Sequence, residues 1–255
     1  MANSRNIKPH LARTLLIHTA EYNKEIPLYQ QGFGFCIENE ENILKCEDNN
    51  VTILYEGQLN TSQTVKLPIF APQIKSVEGN VEISWTVSTI VDPCNNDPDA
   101  YTSNCIEDTF IPHEMRFSFT KRTCKSYTLN LTKETDVEKA KELLNLGYHR
   151  SEYPVSHPAK KYWDEADLRN ENLKWDTIIC KQQRMRGSSL LNPYLSLHAI
   201  GRNDFQQSHV KYFVAVSISA PKYNGSLYDR VLQTYKNLSP IEIRNANRVM
   251  VQNNG

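Results

Sequence analysis

Apolar and polar side chains alternate along several segments of the chain, and this period of two predicts β-strands that are buried on one face. The alternation is clearest at residues 81–87, where polar side chains separate Val81, Ile83, Trp85 and Val87. Two later segments repeat it with the apolar residues Met115, Phe117, Phe119, Tyr127, Leu129 and Leu131. Because one apolar strand face is stable only against another apolar surface, these segments predict layered β-structure.

Three further segments, residues 175–182, 194–200 and 211–219, also have strand character. The last is apolar on both faces from Tyr212 to Ile218, which predicts a central strand. Pro68 cannot donate a hydrogen bond to a ladder, so its segment is expected at a sheet edge or a bulge. Together these patterns predict a mainly β fold of roughly seven or eight short strands, an antiparallel β-sandwich or jelly roll.

Helical spacing appears at two places. The first helix precedes a loop and a glycine turn at residues 32–34, and its apolar side chains are Leu11, Ala12, Leu15, Leu16 and Ile17. The second lies in a helical insertion at about residues 132–173, where Thr135 and Glu138 form a capping-box pattern and Gly147 suits a left-handed stop. The chain is thereby divided into a helix-turn segment (1–48), a β-sandwich (49–235) and a polar tail (236–255).

Composition and charge argue against two classes of partner. The chain has 29 Lys and Arg against 29 Asp and Glu, so it lacks the overall basic balance typical of proteins that bind nucleic acid. No apolar run approaches the ~20 residues that span a bilayer, so we expect no membrane insertion. Residues 1–5 lack the apolar core of a secretory signal, and the six cysteines include no C-x-x-C pair. We therefore expect a cytoplasmic protein with reduced thiols.

An ordered series of motifs begins at residue 13. Residues 13–20 (RTLLIHTA) and the turn at 32–34 (GFG) resemble the end of the catalytic domain of subtilisin-like serine proteases, in which such a helix follows the serine nucleophile. The series continues with 51–57 (VTILYEG), 66–69 (KLPI) and 81–87 (VEISWTV). These segments look like the β-rich extension that follows the catalytic domain in a group of bacterial intracellular subtilases.

The resemblance implies that residues 1–48 are the remnant of the end of an α/β subtilase catalytic domain. The rest would be the non-catalytic, C-terminal β-rich region of a serine endopeptidase, which stabilises the protease domain or contacts substrate or a partner. The family's "glycine, threonine, serine" and "histidine, glycine, threonine" strings are absent from the sequence, so we expect no catalytic residue in this chain. The implied partners are the catalytic domain, with its serine upstream of Met1, and an AAA-class ATPase.

Four residues are candidates for partner contacts. Leu11, Leu15 and Ile17 lie on a helix that, on this interpretation, evolved against the catalytic domain and lacks part of that partner here. Trp163 lies in a polar segment between strands and is a candidate for an exposed contact. The alternative hypothesis is a self-standing β-sandwich that serves as a binding or interaction module, in which residues 7–36 are a packed helix and turn unrelated to proteolysis.

Two other groups of residues suggest chemistry only weakly. Asp92, Asp97 and Asp99 lie in one loop and offer oxygen ligands for calcium, but ordinary loops use the same residue types. We expect no cofactor, with calcium in this loop as the alternative. A second group has the residue types of a hydrolytic triad, but triads are recognised by geometry and not by sequence proximity. It comprises Ser188, Ser189, His198, Asp204 and His209, for which we expect packing or surface roles.

Overall fold

The protein consists mainly of antiparallel β-strands, as its computed structural model shows. The structure describes residues 7–23, 25–36, 43, 48–69, 79–91, 93, 102–155, 159–160, 177–201, 209–234, 244–245 and 248–249. Its elements in chain order are α1 (Pro9–Thr19), α2 (Leu28–Gln31), β1 (Asn50–Asn60), β2 (Thr64–Pro68), β3 (Asn80–Ile90), β4 (Asn104–Ile111), β5 (Arg116–Thr120), β6 (Tyr127–Asn130), α3 (Glu134–Asn145), β7 (His149–Glu152), β8 (Ala159–Lys160), β9 (Ile178–Arg186), a 3₁₀ turn (Gly187–Ser189), β10 (Tyr194–Gly201), β11 (His209–Ser219), α4 (Leu227–Thr234), β12 (Arg244–Asn245) and β13 (Arg248–Val249).

Two sheets contribute to one hydrophobic core. The large sheet has the strand order β1-β11-β3-β9-β8, and the small sheet has the order β2-β10-β4. Every ladder in them is antiparallel. Ile83 and Val214 of the large sheet and Leu195 of the small sheet are 0% exposed and belong to one buried cluster. Trp85 packs against Phe110 with ring centroids 5.4 Å apart, so the sheets lie in a sandwich-like arrangement.

The sequence correctly placed two strands within these sheets. β11 lies between β1 and β3, which confirms the prediction of a central strand. Among the described strands, β2 pairs with β10 alone and ends at Pro68. This confirms the prediction of an edge strand, because a proline removes one ladder donor.

The described first half of the predicted helical insertion contains a helix and a strand that belong to a small separate sheet. α3 packs on a three-stranded sheet of order β6-β5-β7, and Phe119 and Leu143 are buried between helix and sheet. The predicted capping box is wrong, since the helix starts after Lys133 without a side-chain cap. Asp136 instead accepts a hydrogen bond from the backbone N–H of Asn130, at 2.9 Å. The stop at Gly147 has the expected positive φ, +81°.

Some predictions fall on residues outside the described ranges. These include Trp163, the second half of the predicted insertion (161–173) and most of the predicted polar tail. The divisions at residues 48 and 235 stay predictions.

Gly57, the last residue of the 51–57 motif, makes room for an aromatic ring. It lies opposite Tyr212 in the β1–β11 ladder, and a Cβ at this position would lie 2.6 Å from Tyr212 Cζ. Tyr212 is 6% exposed and belongs to the core, so its ring cannot swing into solvent without losing buried area. The glycine is therefore required by packing and not by a turn.

We expect Gly57→Ala to lower the free energy of unfolding by about 1–3 kcal/mol, the usual cost of overpacking a core. Urea denaturation measures this loss, with Gln58→Ala, on an exposed position of the same strand, as the matched control. Adding Tyr212→Leu removes the clash, so the double variant should lose less stability than the sum of the single variants. Strict additivity would show that the ring and the glycine are not coupled.

Candidate functional site

Helix α1 lies on the face of the large sheet that points away from the core, against β3 and β11. Leu15 is 3% exposed and Thr14 is 0% exposed. The Leu15 side chain is therefore already covered within this chain, and its contact with a missing partner stays a prediction. Ile17 packs on Ile178 and Cys180 and stays partly exposed, as does Leu11, so for these two the partner contact stays a prediction.

A row of polar side chains joins α1 to the sheet. His18 Nδ1 lies 3.0 Å from Thr86 Oγ1, and His18 Nε2 lies 2.8 Å from Ser217 Oγ. Thr86 Oγ1 also lies 3.5 Å from Cys180 Sγ, and a neutral His18 ring donates at one nitrogen and accepts at the other. Thr52 Oγ1 lies 2.6 Å from Ser217 Oγ and continues the row onto β1.

The contact between Ser217 and His18 resembles that of a serine nucleophile and its histidine base, but the described backbone beside Ser217 offers no oxyanion hole. Ser217 lies in the middle of β11, which pairs with β1 on one edge and with β3 on the other. The backbone N–H groups around Ser217 are therefore used by the two ladders and cannot stabilise an oxyanion. The polar row therefore holds α1 in place on the sheet.

The glycine turn after α1 has a geometry that requires its glycines. Gly32 and Gly34 have φ values of +57° and +107°, and a Cβ at residue 34 would lie 2.5 Å from the backbone oxygen of Glu21. Glu21 and Phe35 exchange two backbone hydrogen bonds of 2.9 Å, which tie the turn back to the end of α1. The Gln31 side chain adds hydrogen bonds to the backbone of Asn23. The helix and the turn thus form one folded segment.

Three large apolar side chains of this segment are exposed to solvent. Leu16 is 40% exposed, Phe33 is 39% exposed and Phe35 is 52% exposed. We call these three residues the N-terminal apolar set. The sequence pattern did not single out Leu16, because the spacing of apolar residues does not tell which side of α1 faces the sheet. Cys36, directly after Phe35, is also exposed.

A carboxylate with 4% side-chain exposure links the two sheets on the opposite side of the large sheet. Asp108 on β4 accepts a hydrogen bond of 2.7 Å from Trp85 Nε1 and forms an ion pair of 2.6 Å with Lys181 on β9. The indole donor of Trp85 therefore has the partner that a buried tryptophan needs. Asp108 thus accepts a hydrogen bond from one core side chain and pairs with the charge of a second side chain, so these three residues have a structural role.

A second polar group joins the small sheet to the three-stranded sheet. Lys66 Nζ lies 2.5 Å from Glu152 Oε1 and 3.3 Å from Tyr194 Oη. The hydrogen bond with Glu152 raises the pKa of Lys66 against the opposing effect of burial. Burial alone raises the pKa of Glu152, but the hydrogen bonds from Lys66 and Tyr194 and the Lys66 charge outweigh it and lower that pKa. Burial and the hydrogen bond to Glu152 raise the pKa of Tyr194 to about 12.

These shifts predict how Glu152→Gln changes the pH dependence of stability. The lowered pKa of Glu152 means that its contribution is present above the ordinary value of 4.5 and is lost as the pH falls through the folded-state pKa. The raised pKa of Lys66 means that its contribution is present below 10.5 and is lost as the pH rises through the folded-state pKa. Glu152→Gln should remove both dependences, with a loss below about 1 kcal/mol at neutral pH because both groups are well exposed.

Titration of tyrosinate absorbance provides the sharper readout of the same variant. Without the Glu152 carboxylate, the pKa of Tyr194 should fall from about 12, because a negative neighbour no longer opposes ionisation of the phenol. Glu138→Gln, on an exposed position of α3, is the matched control and should leave the titration unchanged. An unchanged Tyr194 titration in Glu152→Gln would contradict the proposed coupling.

The described serines and histidines with the residue types of a hydrolytic triad lie in strands and in a turn. Ser188 and Ser189 lie in the 3₁₀ turn after β9. His198 Nδ1 lies 2.9 Å from Thr64 Oγ1, and His209 is the exposed first residue of β11. Asp204 lies outside the described residues.

Three aspartates of one loop were the predicted calcium ligands. Asp92, Asp97 and Asp99 lie outside the described residues, and Pro93 and Thr102 form an isolated bridge at the ends of that loop. Within the part of the chain that the structure describes, no three His, Cys, Asp or Glu side chains are grouped as metal ligands would be. None of the described helices has the length and apolar character needed to span a bilayer.

No protein-family model matches the chain, and no curated protein sequence matches it. The resemblance to the subtilases therefore rests on the motif residues themselves and on their order.

Proposed function

We propose that this chain is the non-catalytic, C-terminal β-rich region of a subtilisin-like serine endopeptidase. The observation that carries the proposal is the folded segment of α1 and the glycine turn. Its sequence resembles the end of a subtilase catalytic domain, and Gly34 occupies a conformation that only glycine adopts without a clash. An arbitrary loop of the same composition would not need glycine at this position.

The N-terminal apolar set supports a specific partner for this segment. Leu16, Phe33 and Phe35 belong to the segment that, by resemblance, is continuous with the catalytic domain, so that domain is the partner expected to cover them. Covering apolar area yields about 25 cal/mol per Å², and three large side chains offer enough area for this to stabilise the association. Leu16 thereby replaces its neighbour Leu15 as the α1 residue that we propose contacts the catalytic domain.

The role of the chain in the enzyme is structural. The described backbone N–H groups beside Ser217 are used by the ladders of β11, so the chain would supply no catalytic residue to the endopeptidase and would stabilise the domain that carries the triad. Contacts to substrate or to an AAA-class ATPase are part of the proposal through the resemblance alone. A cytoplasmic location is part of the proposal through the resemblance to intracellular subtilases alone.

The DNA immediately upstream of the Met1 codon tests this assignment. We expect a reading frame there, in the same or a shifted frame, that encodes a "glycine, threonine, serine" turn opening a helix. A promoter followed by an intergenic gap would count against the assignment.

A self-standing binding module is the second candidate, and one observation favours it. Thr14 and Leu15 are buried within this same chain, and Thr14 Oγ1 lies 2.5 Å from Ser88 Oγ. Helix α1 therefore packs on the sheet without a second domain. The two candidates differ in the N-terminal apolar set, which a self-standing module has no need to expose. Replacing Leu16, Phe33 and Phe35 with serine should be without effect on partner binding if the module hypothesis holds.

A further inference from the structure

The unit formed by β5, β6, α3 and β7 carries an excess of positive charge. Residues 116–152 contain eight Lys and Arg against five Asp and Glu, whereas the whole chain is balanced at 29 against 29. The balance of the whole chain therefore conceals a local basic region. This region lies on a different unit from the N-terminal apolar set, and an inference from it does not depend on the proposed function.

Three lysines of this unit converge on two tyrosine rings. Lys125 Nζ and Lys139 Nζ lie 5.9 Å and 4.8 Å from the centre of the Tyr127 ring. Lys121 Nζ lies 5.9 Å from the centre of the Tyr148 ring. The two rings meet edge to face with centroids 5.8 Å apart. We call Lys121, Lys125 and Lys139 the lysine cluster; it comes from the β5–β6 hairpin and from α3.

The lysine cluster is held together by rings and not by acidic side chains. All three lysines are exposed, and the ion pairs between described residues engage Lys8, Lys66 and Lys181 instead. The tyrosine faces attract each ammonium group through their quadrupoles, but neighbouring ammonium groups repel one another. A bound anion would relieve this repulsion, so the surface is complementary to negative charge.

Two exposed leucines lie at the C-terminal end of α3, and one of them contacts the lysine cluster. Leu144 is 45% exposed and Leu146 is 54% exposed, at the C-terminal end of α3. Lys121 Nζ donates a hydrogen bond of 2.7 Å to the backbone oxygen of Leu146, which places the charge beside the apolar side chain. The surface thus combines positive charge with apolar area, and a matching ligand needs negative charge and an apolar group.

We propose that the lysine cluster, together with Leu144 and Leu146, binds an acidic segment of another protein that carries apolar side chains between its carboxylates. Single-stranded nucleic acid fits less well, because it stacks its bases on open aromatic faces, and here lysines cover the Tyr127 and Tyr148 rings. A lipid surface fits less well too. Even one myristoyl chain gives only marginal membrane binding, and two half-exposed leucines offer less apolar surface than that.

Fluorescence anisotropy with a short dye-labelled peptide of glutamates and interspersed leucines tests the proposal on the full chain. The wild-type chain should bind this peptide, and the affinity should fall as salt is added, because exposed charges are screened. The variant K121Q/K125Q/K139Q should bind about tenfold more weakly, since three exposed charge pairs are together worth about one decade of affinity. Circular dichroism and thermal melting of each variant establish that it is folded.

The matched control is K133Q/K141Q/K211Q, which removes the same charge from exposed lysines outside the cluster. It should bind the peptide as the wild type does, and a peptide with serine in place of leucine should bind more weakly than the leucine peptide. Equal losses in the two lysine variants would overturn the proposal, as would an absence of binding by the wild type. Equal or tighter binding of oligothymidylate, or of phosphatidylcholine vesicles containing phosphatidylserine, would assign the surface to nucleic acid or membrane instead.

Discussion

Asp108→Asn is expected to lower the free energy of unfolding by about 3 kcal/mol, because removal of one partner from a buried ion pair leaves the other charge uncompensated. The Asp108 side chain is 4% exposed and the Lys181 side chain is 22% exposed, so water can only partly replace the lost carboxylate. The introduced amide oxygen can still accept the hydrogen bond from Trp85 Nε1, which isolates the effect of the charge. The midpoint of urea denaturation measures the loss.

Two further variants separate the ion pair from general effects of the substitution. Glu107→Gln changes the neighbouring exposed carboxylate and should leave the midpoint within a few tenths of a kcal/mol, as surface substitutions usually do. Asp108→Asn combined with Lys181→Met removes both charges, and it should recover much of the stability lost in the single variant. If the double variant is as unstable as Asp108→Asn alone, the ion pair is not what joins β4 to the large sheet.

Gly34→Ala is expected to unfold the segment formed by α1 and the glycine turn while leaving the sandwich intact. A φ of +107° is essentially restricted to glycine and costs other residues about 1–3 kcal/mol. The new Cβ would also lie 2.5 Å from the backbone oxygen of Glu21, so the chain must separate Glu21 from Phe35. Hydrogen exchange measures this as lost protection of the amides of Glu21 and Phe35, which donate to each other's carbonyl groups.

Gly32→Ala is the matched control for this substitution. Gly32 has a φ of +57°, and a Cβ there would meet no atom within 4 Å. Its cost is only the left-handed backbone conformation, about 1–2 kcal/mol, so both amides should stay more protected than in Gly34→Ala. Equal loss of protection in the two variants would show that the approach of residue 34 to Glu21 does not determine the turn.

The strands could be predicted from the sequence because their signal is local. Alternation at residues 81–87 identified the buried face of β3, and two-sided apolarity identified β11 as central. The packing of the two sheets on each other could not be predicted, because it depends on contacts such as Asp108 with Lys181, which are 73 positions apart in the chain. A carboxylate in a strand looks solvent-exposed until the opposite sheet supplies its partner.

Helix boundaries show the same limit at shorter range. Thr135 and Glu138 fit a capping box, but Asn130 and Asp136 make the contact that defines the start of α3. Helix α4 was not predicted, although Ser226 accepts a hydrogen bond from the backbone N–H of Asp229, which is the pattern of an N-cap. The burial of Leu227 and Val231, four positions apart, was the second signal for this helix.

The candidate site was predicted in outline but not in orientation. The motif residues identified α1 and the glycine turn as one segment, and the positive φ values of Gly32 and Gly34 explain why glycines stand there. Which side of α1 faces the sheet is decided by His18, Thr14 and their partners on β3 and β11. No periodicity in residues 7–36 contains that information, so Leu15 was chosen where Leu16 is exposed.

The central claim is that a subtilisin-like catalytic domain covers Leu16, Phe33 and Phe35. Its most direct test is to treat extracts of the source cells with a fluorophosphonate probe, which labels active serines, and to capture the tagged chain. We expect a labelled protein to co-purify with the chain, and its labelled peptide to contain "glycine, threonine, serine". This protein should no longer co-purify when Leu16, Phe33 and Phe35 are replaced with serine. Label on this chain itself, or capture without any labelled protein, would contradict the account.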